Sequence, residues 1–156
     1  MVGFLECAAY AVMPVLLGWL WGLCAGFNGF LATILTFVVI GGWYWAGFRY
    51  VKRVKNPVLA ILGGNALGIL SFLIYLWQEY GTAEKINALQ AAAQKFTAPL
   101  TMISVRIVMR FSPVVDGVTQ VSNTALQAVG LVLMVALFTL AYFSGRQRER
   151  LLAQAK

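Results

Sequence analysis

The sequence predicts an all-α integral membrane protein. The expected fold is a bundle of four transmembrane helices, with amphipathic or re-entrant helices between spans three and four. Three observations predict it. Four separated apolar stretches, at about 4–25, 30–48, 57–77 and 124–144, fill most of the 156 residues, and a spanning helix needs about 20 mostly apolar residues at about 1.5 Å of rise each. Hydrophobic residues make up 61% of the chain and charged residues 11%, with a mean hydropathy of +0.80, where a soluble domain carries about 25% charged residues. The basic residues gather at two places that four spans put on one side. Positions 1–156 read as a single membrane domain, with little left over for a soluble module.

The first stretch lacks a basic leading region and outlasts the apolar core of a signal peptide, so it reads as a span. Pro14 removes one of its backbone hydrogen bonds and predicts a kink, which membrane helices tolerate when neighbours satisfy the freed carbonyl. Gly18, Gly22 and Gly26 then recur every four residues along one face. Small residues at that spacing let another backbone approach closely, which is how membrane helices associate without a hydrophobic drive. Phe27-Asn28-Gly29 makes a very short turn, so spans one and two form a tight hairpin. Cys7 and Cys24 both fall in span one, about 25 Å apart by helical rise, too far to bridge each other. The chain has no histidine, which argues against zinc or haem, and no cofactor is expected.

Span two ends in Trp43-Tyr44-Trp45, an interfacial aromatic belt, followed by the basic run Arg49, Lys52, Arg53 and Lys55. Asn56-Pro57 starts span three. Within it Gly64 and Gly68 form a second glycine pair beside Asn65, and Tyr75, Trp77 and Tyr80 supply the belt of the opposite face. Span four leads into a tail, 145–156, bearing Arg146, Arg148, Arg150 and Lys156, which is expected to continue as a short helix. The positive-inside rule places both basic clusters and both termini in the cytoplasm, with a bacterial inner membrane as the expected setting.

The connection 78–123 is the least regular part and is expected on the outer face. There Lys85, Lys95, Arg106 and Arg110 nearly balance Glu79, Glu84 and Asp116. Its first section, about 83–97, reads as an amphipathic helix with Ile86, Leu89, Ala93 and Phe96 on one side. Thr97 is expected to cap a second helix, about 99–111, with Pro99 near its first position. Arg106 and Arg110 lie one turn apart on it. That region either lies on the interface or dips in as a re-entrant hairpin shielded by the spans. Lys85 and Lys95 read as surface charges.

Candidate functional residues are few. Gly18, Gly22, Gly26, Gly64 and Gly68 are expected at close helix contacts, either among the four spans or with partner subunits. Arg106, Arg110 and Asp116 could hold an anionic ligand or headgroup, or form an ion pair in a gate. Asn65 is expected to hydrogen-bond across helices or line a path. Glu6, near the start of span one, reads as solvated. With no paired carboxylates in a span, no GxSxG and no phosphate-binding loop, an enzyme is not expected. The basic clusters hug the span ends, which disfavours nucleic acid. Halves 1–78 and 79–156 differ in charge and span count, which disfavours an inverted-repeat transporter. The expected function is a non-catalytic membrane subunit acting by helix packing in a homo- or hetero-oligomeric complex, its partners being lipids and other subunits or itself. The alternative is a small channel or transporter component whose oligomer encloses a path past Asn65 and the two arginines.

Overall fold

A computed structural model describes residues 2–115 and 117–155, and the side chains of all of these except 2–5 and 27. It is predominantly helical. Four helices are long and apolar enough to cross a membrane: α1 (Val2–Phe27), α2 (Gly29–Tyr50), α3 (Pro57–Leu76) and α6 (Asn123–Gln154). Their outer faces are apolar as well as their core. Phe37 is 67% and Leu140 65% exposed, while Asn65 is wholly buried. Large apolar side chains on the outer faces point to lipid as the surrounding medium, and hence to a membrane location.

The turns follow the local chemistry. Only Asn28 separates α1 from α2, and its Oδ1 accepts from the Phe30 N–H at 2.8 Å. Asn56 caps α3 in the same way, accepting from Val58 and Leu59, with Pro57 in the first turn where its missing N–H costs nothing. Ser122 caps α6 through the Ala125 N–H. As expected, α6 runs on through the basic tail to Gln154.

The tightest contact joins α2 and α6, and it depends on glycines outside the two predicted ladders. A Cβ on Gly47 would stand 2.7 Å from the Phe138 carbonyl oxygen, and one on Gly145 would stand 2.7 Å from that of Phe48. The two backbones therefore touch at reciprocal points. Trp43 locks the same interface by donating from Nε1 to the Met134 carbonyl at 3.0 Å. The Tyr142 hydroxyl sits within 2.9 and 3.0 Å of the Val54 and Lys55 carbonyls and ties α6 to the basic turn. At that same end Arg53 pairs with Glu6 at 2.7 Å, and Lys55 with Glu149 at 2.8 Å. Glu6 is thus engaged in a half-exposed ion pair rather than standing free in solvent. We call this the basic end.

At the far end the chain departs from expectation. A π-helical turn (Trp77–Gly81) follows α3, and the helix expected over 83–97 is confined to α4 (Asn87–Ala93). Gln78 is the reason: its buried amide oxygen accepts from the Ile86 N–H at 2.8 Å, holding the chain in a loop where a longer helix would have started. The second helix is likewise shorter than 99–111. It consists of a 3-10 turn (Ala98–Leu100) and α5 (Thr101–Val108). Thr97 does not cap it: its own backbone is already helical, with φ −97° and ψ −11°, and its hydroxyl turns away to donate to Gln127. Beyond Ser112-Pro113 a two-stranded antiparallel ribbon, β1 (Val114–Val115) and β2 (Val118–Thr119), turns at Gly117, whose φ of 76° lies in the left-handed region that glycine favours.

Candidate functional site in the inserted segment

The segment from α4 to α5 does not lie over the end of the bundle. It enters between the helices, turns at residues 95–100 and comes back out. Pro99 helps make the turn by withholding an N–H where a helix would need one. Phe96, Pro99 and Leu100 are buried, as are Thr97 and Ser104.

Each of the four long helices grips the turn at one residue. On α1, Gly18 leaves room for the backbone carbonyl of Lys95. On α3, Gly68 leaves room for the ring of Phe96. On α6, Gly130 admits Thr97, whose Cβ lies 2.9 Å from where a Cβ on Gly130 would be. On α2, the Thr36 hydroxyl donates to the Pro99 carbonyl at 2.8 Å and accepts from Trp21 Nε1 at 3.1 Å. Three consecutive residues are thus seated on three glycines of three different helices. Counted from the helix ends away from the basic end, Gly18, Gly68 and Gly130 lie about 14, 12 and 11 Å deep at 1.5 Å per residue.

Polar groups collect around the turn. The Thr97 hydroxyl bonds Gln127, and Ser104 Oγ is buried without a partner. Phe96 meets Trp43 edge to face, with ring centroids 5.8 Å apart. Lys95 is the notable member. Its backbone rests at the level of Gly18, but its ammonium reaches back one turn to Gly22, 3.2 Å from where a Cβ there would be. The ammonium sits 5.0 Å from the centre of the Trp19 ring, and no carboxylate pairs with it among the described residues. Lys95 is half-buried, its backbone seated among the helices, where the sequence suggested a surface charge. The ammonium thus stands one turn nearer the helix end than its own backbone, against the exposed ring of Trp19, as a long lysine side chain does when it reaches toward an interface.

The predicted site residues are dispersed. Gly18 and Gly22 face Lys95, Gly64 admits the Phe138 ring and Gly68 that of Phe96, while Gly26 has nothing within 4 Å. These four glycine positions are filled from within the same chain. Asn65 donates from Nδ2 to the Ile61 carbonyl of its own helix at 2.9 Å rather than across helices, and its Oδ1 is buried without a partner. Arg106 and Arg110 are exposed. Arg106 stands at a groove of 290 Å³ lined by Thr33, Phe37, Met102, Ile103 and Ile107. Asp116, expected beside them, lies outside the described residues. Cys7 and Cys24 are both unpaired, and no cluster of metal-ligating side chains occurs among the described residues.

Sequence reasoning missed Lys95, Gly47, Gly130 and Gly145. One signal pointed to Lys95: a single charge in an alanine-rich run ending at Thr97-Ala98-Pro99, too short on either side to make a stable surface helix. Comparison with family models, with characterised proteins and with solved structures finds no match.

Proposed function

We propose that this chain is a non-catalytic membrane subunit that docks within a larger membrane complex, with the ribbon beyond the inserted segment as its docking element. The observation supporting this is the exposure of apolar side chains on that ribbon and the turn before it. Phe111 is 85% exposed, and Val114 and Val118 are 66% exposed each. A lone two-stranded ribbon is marginally stable by itself, and its free edges can pair with another chain. Because Gly18, Gly22, Gly64 and Gly68 are occupied internally, contact with another subunit falls more naturally on this end. The setting of this reading is a bacterial inner membrane with the basic end, and so both termini, in the cytoplasm.

The test is the native mass after gentle extraction, with co-purifying subunits identified, for the unaltered chain and for Phe111→Ser/Val118→Thr. Loss of a stoichiometric partner in the variant supports docking there. A chain that is monomeric and unaccompanied in both forms overturns it.

A second reading is favoured by Lys95. A small channel or carrier component could use its ammonium, with Thr97, Gln127 and Ser104 near the same turn, to pass or hold an anion. Reconstituted vesicles showing anion flux that Lys95→Gln abolishes would support it. Flux no greater than that of empty vesicles would sink it.

A further inference from the structure

We propose that the cleft between α2 and α6 at the basic end binds the phosphate of an anionic phospholipid. Its cations are Arg49, Lys52 and Arg148. The cleft measures about 410 Å³, and these three side chains share its wall with Trp45, Phe48 and Glu149.

Charge comes first. Glu149 is the cleft's one acid, and its carboxylate is taken by Lys55 at 2.8 Å from outside the cleft. Arg49, Lys52 and Arg148 have no acidic partner among the described residues. Arg53, one residue beyond Lys52, is neutralised by Glu6, while the three cations of the cleft stay unpaired.

Geometry comes second. The Arg49 guanidinium lies 5.2 Å from the centre of the Trp45 ring, and that of Arg148 lies 5.8 Å from Phe48. Each guanidinium is thus held near an aromatic ring while making no salt bridge among the described residues, and its planar fork of N–H donors matches phosphate oxygens. The close approach at Gly145, whose Cβ would collide with the Phe48 carbonyl, brings the two arginines to opposite sides of one cleft.

Position decides between sources of phosphate. Arg49 closes the last turn of α2, and Arg148 lies in the first turn of the polar continuation of α6, so both stand where a spanning helix leaves the hydrocarbon. Trp45, 47% exposed, lies one turn toward the apolar side. That order, aromatic ring and then cations, suits an acyl chain leading to a headgroup. A soluble phosphate would have no use for the aromatic half.

Diffuse attraction of a basic surface to anionic lipid is the competing explanation, and Arg146 and Arg150 provide the control. They lie on the same stretch of α6 but line a second cleft with Lys55 and Tyr142, which shares only Glu149 with the first. The purified chain in detergent is titrated with phosphatidylglycerol, with phosphatidylcholine and with inorganic phosphate, and the thermal-unfolding midpoint is read. Phosphatidylglycerol should raise the midpoint and phosphatidylcholine should not. Arg49→Gln/Arg148→Gln should weaken the phosphatidylglycerol response about tenfold or more, because it removes the fork of N–H donors that would grip the phosphate oxygens. Arg146→Gln/Arg150→Gln should leave it within about twofold. Equal weakening in both pairs overturns the site, as does an equal response to both lipids. Inorganic phosphate that competes at the lipid's own concentration overturns the lipid as occupant. The midpoint without lipid reports whether the first pair folds; if it does not, Lys52→Gln replaces it, with the same reading.

Discussion

The backbone carbonyl of Lys95 rests against Gly18, in the space that any side chain at position 18 would fill. That contact joins a predicted motif to a residue the sequence left on the surface. It also yields a sharp contrast within one glycine ladder. Gly18→Ala should destabilise the chain by about 1–3 kcal/mol, the cost of overpacking a closed contact. Gly26→Ala, with open space around it, should be neutral or slightly stabilising through better helix propensity. Unfolding of both variants in mixed micelles decides the matter; equal effects would remove the inserted segment from that face of α1.

Gly68 and Phe96 form a second coupled pair. Gly68→Ala should cost about 1–3 kcal/mol by displacing the ring. Combined with Phe96→Ala it should cost clearly less than the sum of the two single changes, since the small residue and the large one fit each other. Additive losses in the double-mutant cycle would mean the ring does not occupy that notch.

Lys95→Met should leave the fold at least as stable as the parent. The cation–π contact with Trp19 contributes about 0.5–1 kcal/mol, and an ammonium that reaches one turn toward the helix end costs less than the about 2.5–3.5 kcal/mol of one at the centre of a span. A gain of about 1–2 kcal/mol would identify the lysine as kept for function at the expense of stability. A loss greater than about 1 kcal/mol would make it a structural tie instead.

Thr36→Val removes the donor to the Pro99 carbonyl and the acceptor for Trp21 at once. Interhelical hydrogen bonds in membranes average about 0.6 kcal/mol, so a loss near 1 kcal/mol is expected, with faster hydrogen exchange at residues 95–100. Protection unchanged across those residues would show that the turn is held by packing alone.

Tyr142→Phe deletes the contact to the Val54 and Lys55 carbonyls and should cost about 1 kcal/mol. Its effect should concentrate at the basic turn, which exchange of the Arg53 and Val54 amides would report. An unchanged turn would assign its shape to the Glu6 and Glu149 ion pairs.

What the sequence determined by itself was what local composition and spacing control. Twenty-odd apolar residues specify a long helix wherever they occur, and Asn28, Asn56-Pro57 and Ser122 mark helix starts by capping their own neighbours. The basic runs likewise sit next to the ends of the apolar stretches in the chain itself. The glycine spacing announced close contacts, yet it could not say with what. Any backbone can approach a glycine, so Gly18 is equally suited to a helix of another chain or to the Lys95 carbonyl. Only the tertiary structure decided that, and it decided it through non-local terms. Gln78 stopped a helix by binding Ile86, Thr97 left its capping role for Gln127 thirty residues on, and Asn65 turned to its own helix. Lys95 reads as a surface charge in sequence because polarity is a property of the residue. Its depth is a property of three glycines on three separate helices, brought together only when the bundle closes.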